Sequence, residues 1–246
     1  MGWPEGWGRV VLDTIDSTNE EARRRAEAGA AAPLWIMARE QTAGRGRRGR
    51  RWTAPSGNLA ATALLRPTTG PATAALHSFA ACLAVADMLD TLAPGADVAL
   101  KWPNDALLNG RKVAGVLLEA SGSGRSVDWL AVGIGVNLAG HPAVEPGAWP
   151  ATSIAAETGQ APPAEAALEH VAEAFAGWSG RVARVGFAPL RAAWLARAAR
   201  LGQKMVARLP RETVEGVFAD LDADGALILS QAGALRRIQA ADVFFA

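Results

Sequence analysis

The chain has 246 residues, half of them hydrophobic, with 25 basic against 24 acidic side chains and a formal net charge of +1. That content supports a sizeable core, in one large domain or a large one with a small companion. The near-neutral balance excludes a globally basic nucleic-acid binder, so any cationic function must come from local clustering. The N-terminus has neither a basic nor an apolar leader segment, so no secretory signal is read there. Val10 to Asp13 predicts a short strand. Ser17-Thr-Asn-Glu20 fits a capping box, with Ser17 as N-cap and Glu20 closing it, ahead of a helix that stops at Gly29. Leu34 to Arg39 and Leu59 to Leu65 predict strands, with a loop between them. The alanine-rich stretch from Pro71 to Leu92 predicts one helix, apolar nearly all round and therefore deep in the core. It carries His77, Asp87 and Asp90, which argues against a membrane span. The single cysteine, Cys82, lies within it as a small buried hydrophobe; one cysteine forms no internal disulfide and suits a reducing, cytoplasmic setting.

Val98 to Trp102 predicts a strand ending in the turn Pro103-Asn-Asp105. Asn109-Gly110 is a strong hairpin signal, so Arg111 to Glu119 should return antiparallel. Trp129 to Leu138 predicts another strand, and Pro163 to Val182 and Phe187 to Leu201 predict helices. From Gly202 the pattern turns to short strands: Lys204 to Leu209, Thr213 to Leu221, Ala226 to Leu229, Leu235 to Ile238 and Asp242 to Phe245. The expected architecture is α+β, a mixed or antiparallel sheet flanked by helices over residues 1–201. A small all-β module follows over 202–246, too small to stand alone and so packed on the larger part.

Gly44-Arg-Gly-Arg-Arg-Gly-Arg-Arg51 puts five arginines into eight residues. The letters match G-x-G-x-x-G, but a dinucleotide fingerprint needs a helix opening straight after it, and Trp52-Thr-Ala-Pro-Ser-Gly57 is loop chemistry. No G-x-x-x-x-G-K-[ST] or kinase catalytic loop is present. Glycines let backbone N–H groups approach an anion, and guanidinium groups bind carboxylate or phosphate bidentately, so the segment reads as an anion-gripping loop. Lys101-Trp-Pro-Asn-Asp105 presents Asn104 and Asp105 at a strand end. Lys112, seven residues on, can bury its stem and turn its ammonium into a pocket. Glycines in Gly133-Ile-Gly-Val-Asn137 weaken a strand unless a ligand or another chain segment comes close. Ser17-Thr-Asn19 reads as a helix cap whose hydroxyls and N–H groups also suit a polar acceptor.

Together these segments resemble the biotin–protein ligases. The matches are Ser17-Thr-Asn19, Gln41 followed by Gly44 to Arg50 and Trp52, Lys101 to Asp105, Arg111-Lys-Val-Ala-Gly115 and Gly133 to Leu138. They are joined by Thr152-Ser-Ile154 and the C-terminal β-module, so nearly the whole chain is covered. The resemblance implies a class II synthetase-like catalytic domain with a small SH3-like C-terminal barrel. It also implies a two-step reaction: biotin and Mg·ATP give biotinyl-5′-AMP, and a lysine of a biotin carboxyl carrier domain then takes the biotin.

By the same resemblance Lys112 and Arg47 are catalytic. Ser17, Thr18, Asn19, Gln41, Arg45, Gly46, Arg47 and Lys112 bind biotin. Gly44, Arg45, Arg47, Arg48, Arg50, Trp52, Asn104, Gly133 and Asn137 bind the nucleotide, and Asp105 touches Mg2+ or the attacking lysine. The family pattern begins by Asp13, so no DNA-binding domain, operator binding or membrane association is expected, and a monomer or a homodimer fits equally. A lipoate or octanoate ligase shares the fold and a pocket lysine, but the arginine–glycine loop, Lys101 to Asp105 and the β-module fit biotin ligases better. A nucleic-acid module using the arginines and Trp52 predicts salt-dependent binding without ATP chemistry.

Overall fold

The computed structural model describes residues 2–143, 149–239 and 241–245. Two sheets organise it. The larger has seven strands in the order β1 (Gly8–Ile15), β2 (Leu34–Gln41), β3 (Leu59–Leu65), β7 (Trp129–Val136), β6 (Arg111–Ser121), β5 (Asp105–Leu108), β4 (Val98–Lys101). β1 and β2 run parallel, joined through helix α1 (Thr18–Glu27), and every other neighbouring pair is antiparallel. Asn109 and Gly110, both with positive φ, make the turn between β5 and β6 that their sequence predicts. The smaller sheet is wholly antiparallel, in the order β11 (Ala234–Ile238), β10 (Leu227–Gln231), β9 (Thr213–Leu221), β8 (Lys204–Arg208), β12 (Asp242–Phe245), as expected of an SH3-like module.

Side chains alternate across a strand, so each inner strand of the large sheet serves two environments. Trp35 and Met37 of β2, Ala61 and Ala63 of β3 and Val132 and Ile134 of β7 enter one large core with helices α3 (His77–Leu92), α5 (Ala164–Val185) and α6 (Ala188–Ala196). On the opposite face, Ile36, Leu64, Trp129 and Ala131 form a small cluster beneath Ala22 and Ala26 of α1. The large core continues into the C-terminal sheet through Met205, Phe218, Leu229 and Val243, so the β-module packs on the main body as its size requires.

Four local expectations need correction. The Ser17 capping box does not form: Asp16 Oδ1 takes the Ser17 N–H at 2.7 Å, Gln41 Oε1 takes the Thr18 N–H at 2.8 Å, and Glu20 turns to Arg23 and Arg45. The helix expected over Pro71 to Leu92 is divided at Leu76 into α2 (Pro71–Ala75) and α3. His77 Nδ1 lies 3.0 Å from the Ala74 carbonyl, the oxygen that a continuous helix would give to the Ser78 N–H. The stretch is nevertheless buried core, as its composition predicts, although by length and hydropathy alone it could span a membrane. Helix α6 ends at Ala196, short of Leu201, because residues 197–199 leave it to pair with Leu100 at the edge of β4. A short helix, α4 (Ile154–Thr158), was not expected; the Ser153 hydroxyl caps it and Gly159 closes it with positive φ.

Candidate active site

The α1 face of the sheet opens beyond the small cluster into a cleft of about 870 Å3. Its floor is made by what the strands lack. Gly115 of β6 and Gly135 of β7 are cross-strand partners, and the Trp52 ring lies over them. A Cβ on Gly135 would come within 2.5 Å of the indole, and one on Gly133 would overlap the Asn19 amide. The glycines in this strand therefore answer to side chains of the chain itself, one from the arginine loop and one from α1.

A polar wall stands at the start of α1. Gln41 Oε1 accepts from both the N–H and the hydroxyl of Thr18, at 2.8 and 3.1 Å. Thr62 Oγ1 donates to Asn19 Oδ1 at 2.7 Å and lies 2.9 Å from Thr18 Oγ1. Asn19 Nδ2 donates to Glu119 Oε2 at 2.8 Å. Ser17, Thr18, Asn19 and Thr62 are all buried, so this network is fixed before any ligand arrives.

The opposite wall is charged. Lys112 Nζ donates to Asp105 Oδ1 at 2.6 Å, and Lys101 Nζ reaches Asp105 Oδ2 at 3.5 Å. Burial alone would push the Asp105 carboxyl upward, but Lys112 and then Lys101 outweigh it and hold its pKa below the ordinary value. Lys101 is buried on all sides, and desolvation lowers its pKa against the pull of Asp105. The Lys112 stem runs beside Gly115, with its ammonium 5.8 Å from the centre of the Trp52 ring.

The arginine loop closes the mouth. An antiparallel bridge joins Arg45 to Arg51, and residues Arg47–Gly49 form a single 3-10 turn with no helix following. Its five arginines divide their work. Arg45 pairs with Glu20 and Glu119 at 3.0 and 3.1 Å; Arg48 and Arg50 both pair with Asp242 of β12; Arg51 donates to the Thr42 carbonyl. Arg47 donates to Asn104 Oδ1 at 3.2 Å and has no carboxylate partner among the described residues. Burial lowers its pKa. Asn104 is itself held by the Val116 carbonyl, at 2.5 Å from its Nδ2. The cleft thus presents one desolvated guanidinium and two ammoniums around one carboxylate, a surplus of positive charge suited to an anionic ligand.

Residues 11–137 match the biotin/lipoate A/B protein ligase family, and residues 201–246 match the biotin protein ligase C-terminal domain. A biotin–[acetyl-CoA-carboxylase] ligase of Paracoccus denitrificans is 53% identical over 239 residues, spanning 96% of this chain and 99% of that protein. The chain belongs to the biotin–protein ligase family. Among solved structures, the Aquifex aeolicus biotin protein ligase in complex with biotin and ATP aligns at 25% identity with a TM-score of 0.83, over 97% of this chain and 99% of that one. The Leishmania major biotin protein ligase in complex with biotinyl-5-AMP aligns at 28% identity with a TM-score of 0.61, over 96% and 100%.

Of the residues singled out from sequence, Ser17, Thr18, Asn19, Gln41, Arg45, Gly46, Arg47, Arg50, Trp52, Asn104, Asp105, Lys112, Gly133 and Asn137 line this one cleft of the ligase. Gly44 and Arg48 do not. Gly44 forms the neck of the loop, where a Cβ would meet the Trp52 carbonyl, and Arg48 pairs with Asp242. Asn137 lines the far end, with its side-chain amide donated to the Thr152 carbonyl. Asp105 is committed to two ammoniums, and no group of three metal-ligating side chains occurs among the described residues. A magnesium ion arriving with ATP would be held chiefly by the phosphates, with Asp105 as the carboxylate near enough to contribute. Sequence reasoning missed Thr62, Gly115, Gly135, Glu119 and Asp242 as site residues, and gave Lys101 no role of its own. The glycines lay within motifs it had quoted, and the strand alternation of Leu59 to Leu65 could have placed Thr62 on the cleft face.

Proposed function

We propose that this cleft activates biotin as biotinyl-5′-AMP and passes it to a lysine of a biotin carboxyl carrier domain, with the following division of labour. The observation that carries the reading is the Lys112–Asp105–Lys101 cluster set opposite the preformed polar wall of α1. A carboxylate and a polyanion must meet here, and preorganised cations in a partly water-free site lower the cost of bringing them together.

Lys112 exchanges the Asp105 carboxylate for that of biotin, holding the nucleophilic oxygen toward the α-phosphate. Asp105 acts as the anchor that keeps Lys112 and Lys101 aimed before substrate arrives. Arg47 and Lys101 take the charge that gathers on the phosphates. Ser17, Thr18, Asn19, Gln41, Arg45 and Gly46 receive the polar head of biotin. Trp52, Asn104, Gly133 and Asn137 flank the adenylate, while Gly44, Arg48 and Arg50 act through the shape of the loop that closes over it. Excluding water protects the mixed anhydride until the carrier amine attacks the acyl carbon and AMP leaves. A free, buried Cys82 and an ATP-consuming reaction both suit a reducing, cytoplasmic setting.

Biotin-dependent exchange of pyrophosphate into ATP tests the reading. The wild-type chain should catalyse it with biotin and not with lipoate, and Lys112→Ala should lower kcat by about 10²- to 10³-fold. Exchange that needs no biotin, or survives in the variant at full rate, would overturn the assignment.

A further inference from the structure

One acidic side chain in the cleft comes from the C-terminal sheet. Asp242 opens β12, and its Oδ2 accepts from Arg48 Nη1 at 2.8 Å and also from Arg50 Nη2. The contacts span sequence separations of 194 and 192 residues. Five guanidinium groups in so short a loop repel one another, so the loop is compact only where counter-charge is supplied. For Arg45 that charge comes from Glu20 and Glu119; for Arg48 and Arg50 it comes from Asp242. Arg48 also holds φ 57 and ψ 33, a left-handed conformation that a long side chain adopts only where its surroundings fix it. With Arg48 and Arg50 both held by Asp242, Arg47 is the loop arginine that reaches Asn104, at 3.2 Å.

We propose that Asp242 is a positioning residue for the adenylation step: by holding Arg48 and Arg50 it sets the loop so that Arg47 faces the nucleotide. The C-terminal module thus acts on chemistry through the loop rather than by touching the reacting atoms. The effect on nucleotide rests on the proposed function; the ordering of the empty loop does not.

The test compares full-length wild type with Asp242→Asn, Asp242→Glu and the double variant Arg48→Gln/Arg50→Gln. Hydrogen exchange of the amides in residues 44–52 is followed in the empty protein, and ATP KM and kcat in biotin-dependent pyrophosphate exchange. Asp242→Asn should speed loop exchange by about three- to tenfold, the scale of two part-exposed ion pairs. It should raise ATP KM by a similar factor and leave kcat within about twofold. Asp242→Glu should restore most of both. Adding Asp242→Asn to the arginine double variant should change loop exchange no further, because the pairs it would break are already gone. Unaltered loop exchange in Asp242→Asn, a fully additive effect, or a fall in kcat at constant KM would each overturn the proposal. Should Asp242→Asn fail to fold, the arginine double variant decides: a faster loop supports the inference and an unchanged one refutes it. A wild type without biotin-dependent exchange would sink the proposed function while the loop measurement still judged Asp242.

Discussion

On one face of the seven-stranded sheet, Trp35 packs edge-on to Phe175 at 5.7 Å and lies 6.0 Å from Trp7, with Met37, Ala61 and Val132 filling the spaces between. On the other face the same strands offer Thr62, Gly133 and Gly135. The first face is continuous hydrocarbon sealed by α3 and α5. The second gives up packing around Trp52 and Asn19 and leaves space for a ligand. A strand's alternation lets one segment stabilise the fold and bare the site at once, so damage to the two faces should separate cleanly into stability and activity.

The largest expected effect is on the packed face. Phe175 is fully buried, and Phe175→Ala should destabilise the chain by about 3–5 kcal/mol in urea unfolding. At low temperature, where the variant is still folded, its biotin KM should match wild type; a raised KM would show the two faces to be coupled. The open face should respond the other way. In Gly135→Ala the new methyl must displace the Trp52 indole, so biotin KM should rise by about tenfold or more while stability changes by less than about 1 kcal/mol. A comparable loss of stability would mean that the glycine bed is structural.

The smallest effect sharpens the electrostatics of the cleft. Burial lowers the Lys101 pKa, so its charge disappears at lower pH than that of an ordinary lysine. Folding pays for that buried charge below the unfolded value, and the penalty is relieved as pH rises through the depressed pKa. Affinity for the polyanion should therefore fall on an early alkaline limb, and Lys101→Arg, which keeps its charge, should move that limb to higher pH. The pH profile of kcat/KM for ATP measures this, and identical limbs would remove Lys101 from phosphate binding.

How much of this could be read from residues alone depended on distance along the chain. The arginine–glycine loop, Lys101 to Asp105 and the Asn109-Gly110 hairpin are local patterns whose chemistry follows from adjacent residues, and they come together as expected. The capping box was equally local and still failed, because Asp16 took the Ser17 N–H and Glu20 turned to Arg23 and Arg45. The strand glycines signalled a close approach without saying that Trp52 and Asn19 make it. Asp242 was beyond reach: an aspartate opening a terminal strand carries no mark that it will meet an arginine loop nearly 200 residues away.

Trp102 extends that lesson to the whole β-module. Its indole N–H donates to the Gly225 carbonyl at 3.0 Å, and Gly225 has positive φ and no room for a side chain against Phe79. The residue beside Lys101 is therefore tied to the turn between β9 and β10, and Phe218 lies 6.4 Å from Trp194 of α6. The chain can be divided near residue 201 on paper, but severing it there would strip the covering from α6 and unmoor the strand that carries Lys101. For anyone wishing to swap or trim this module, the seam is covalent rather than mechanical, and the two parts should melt as a single unit.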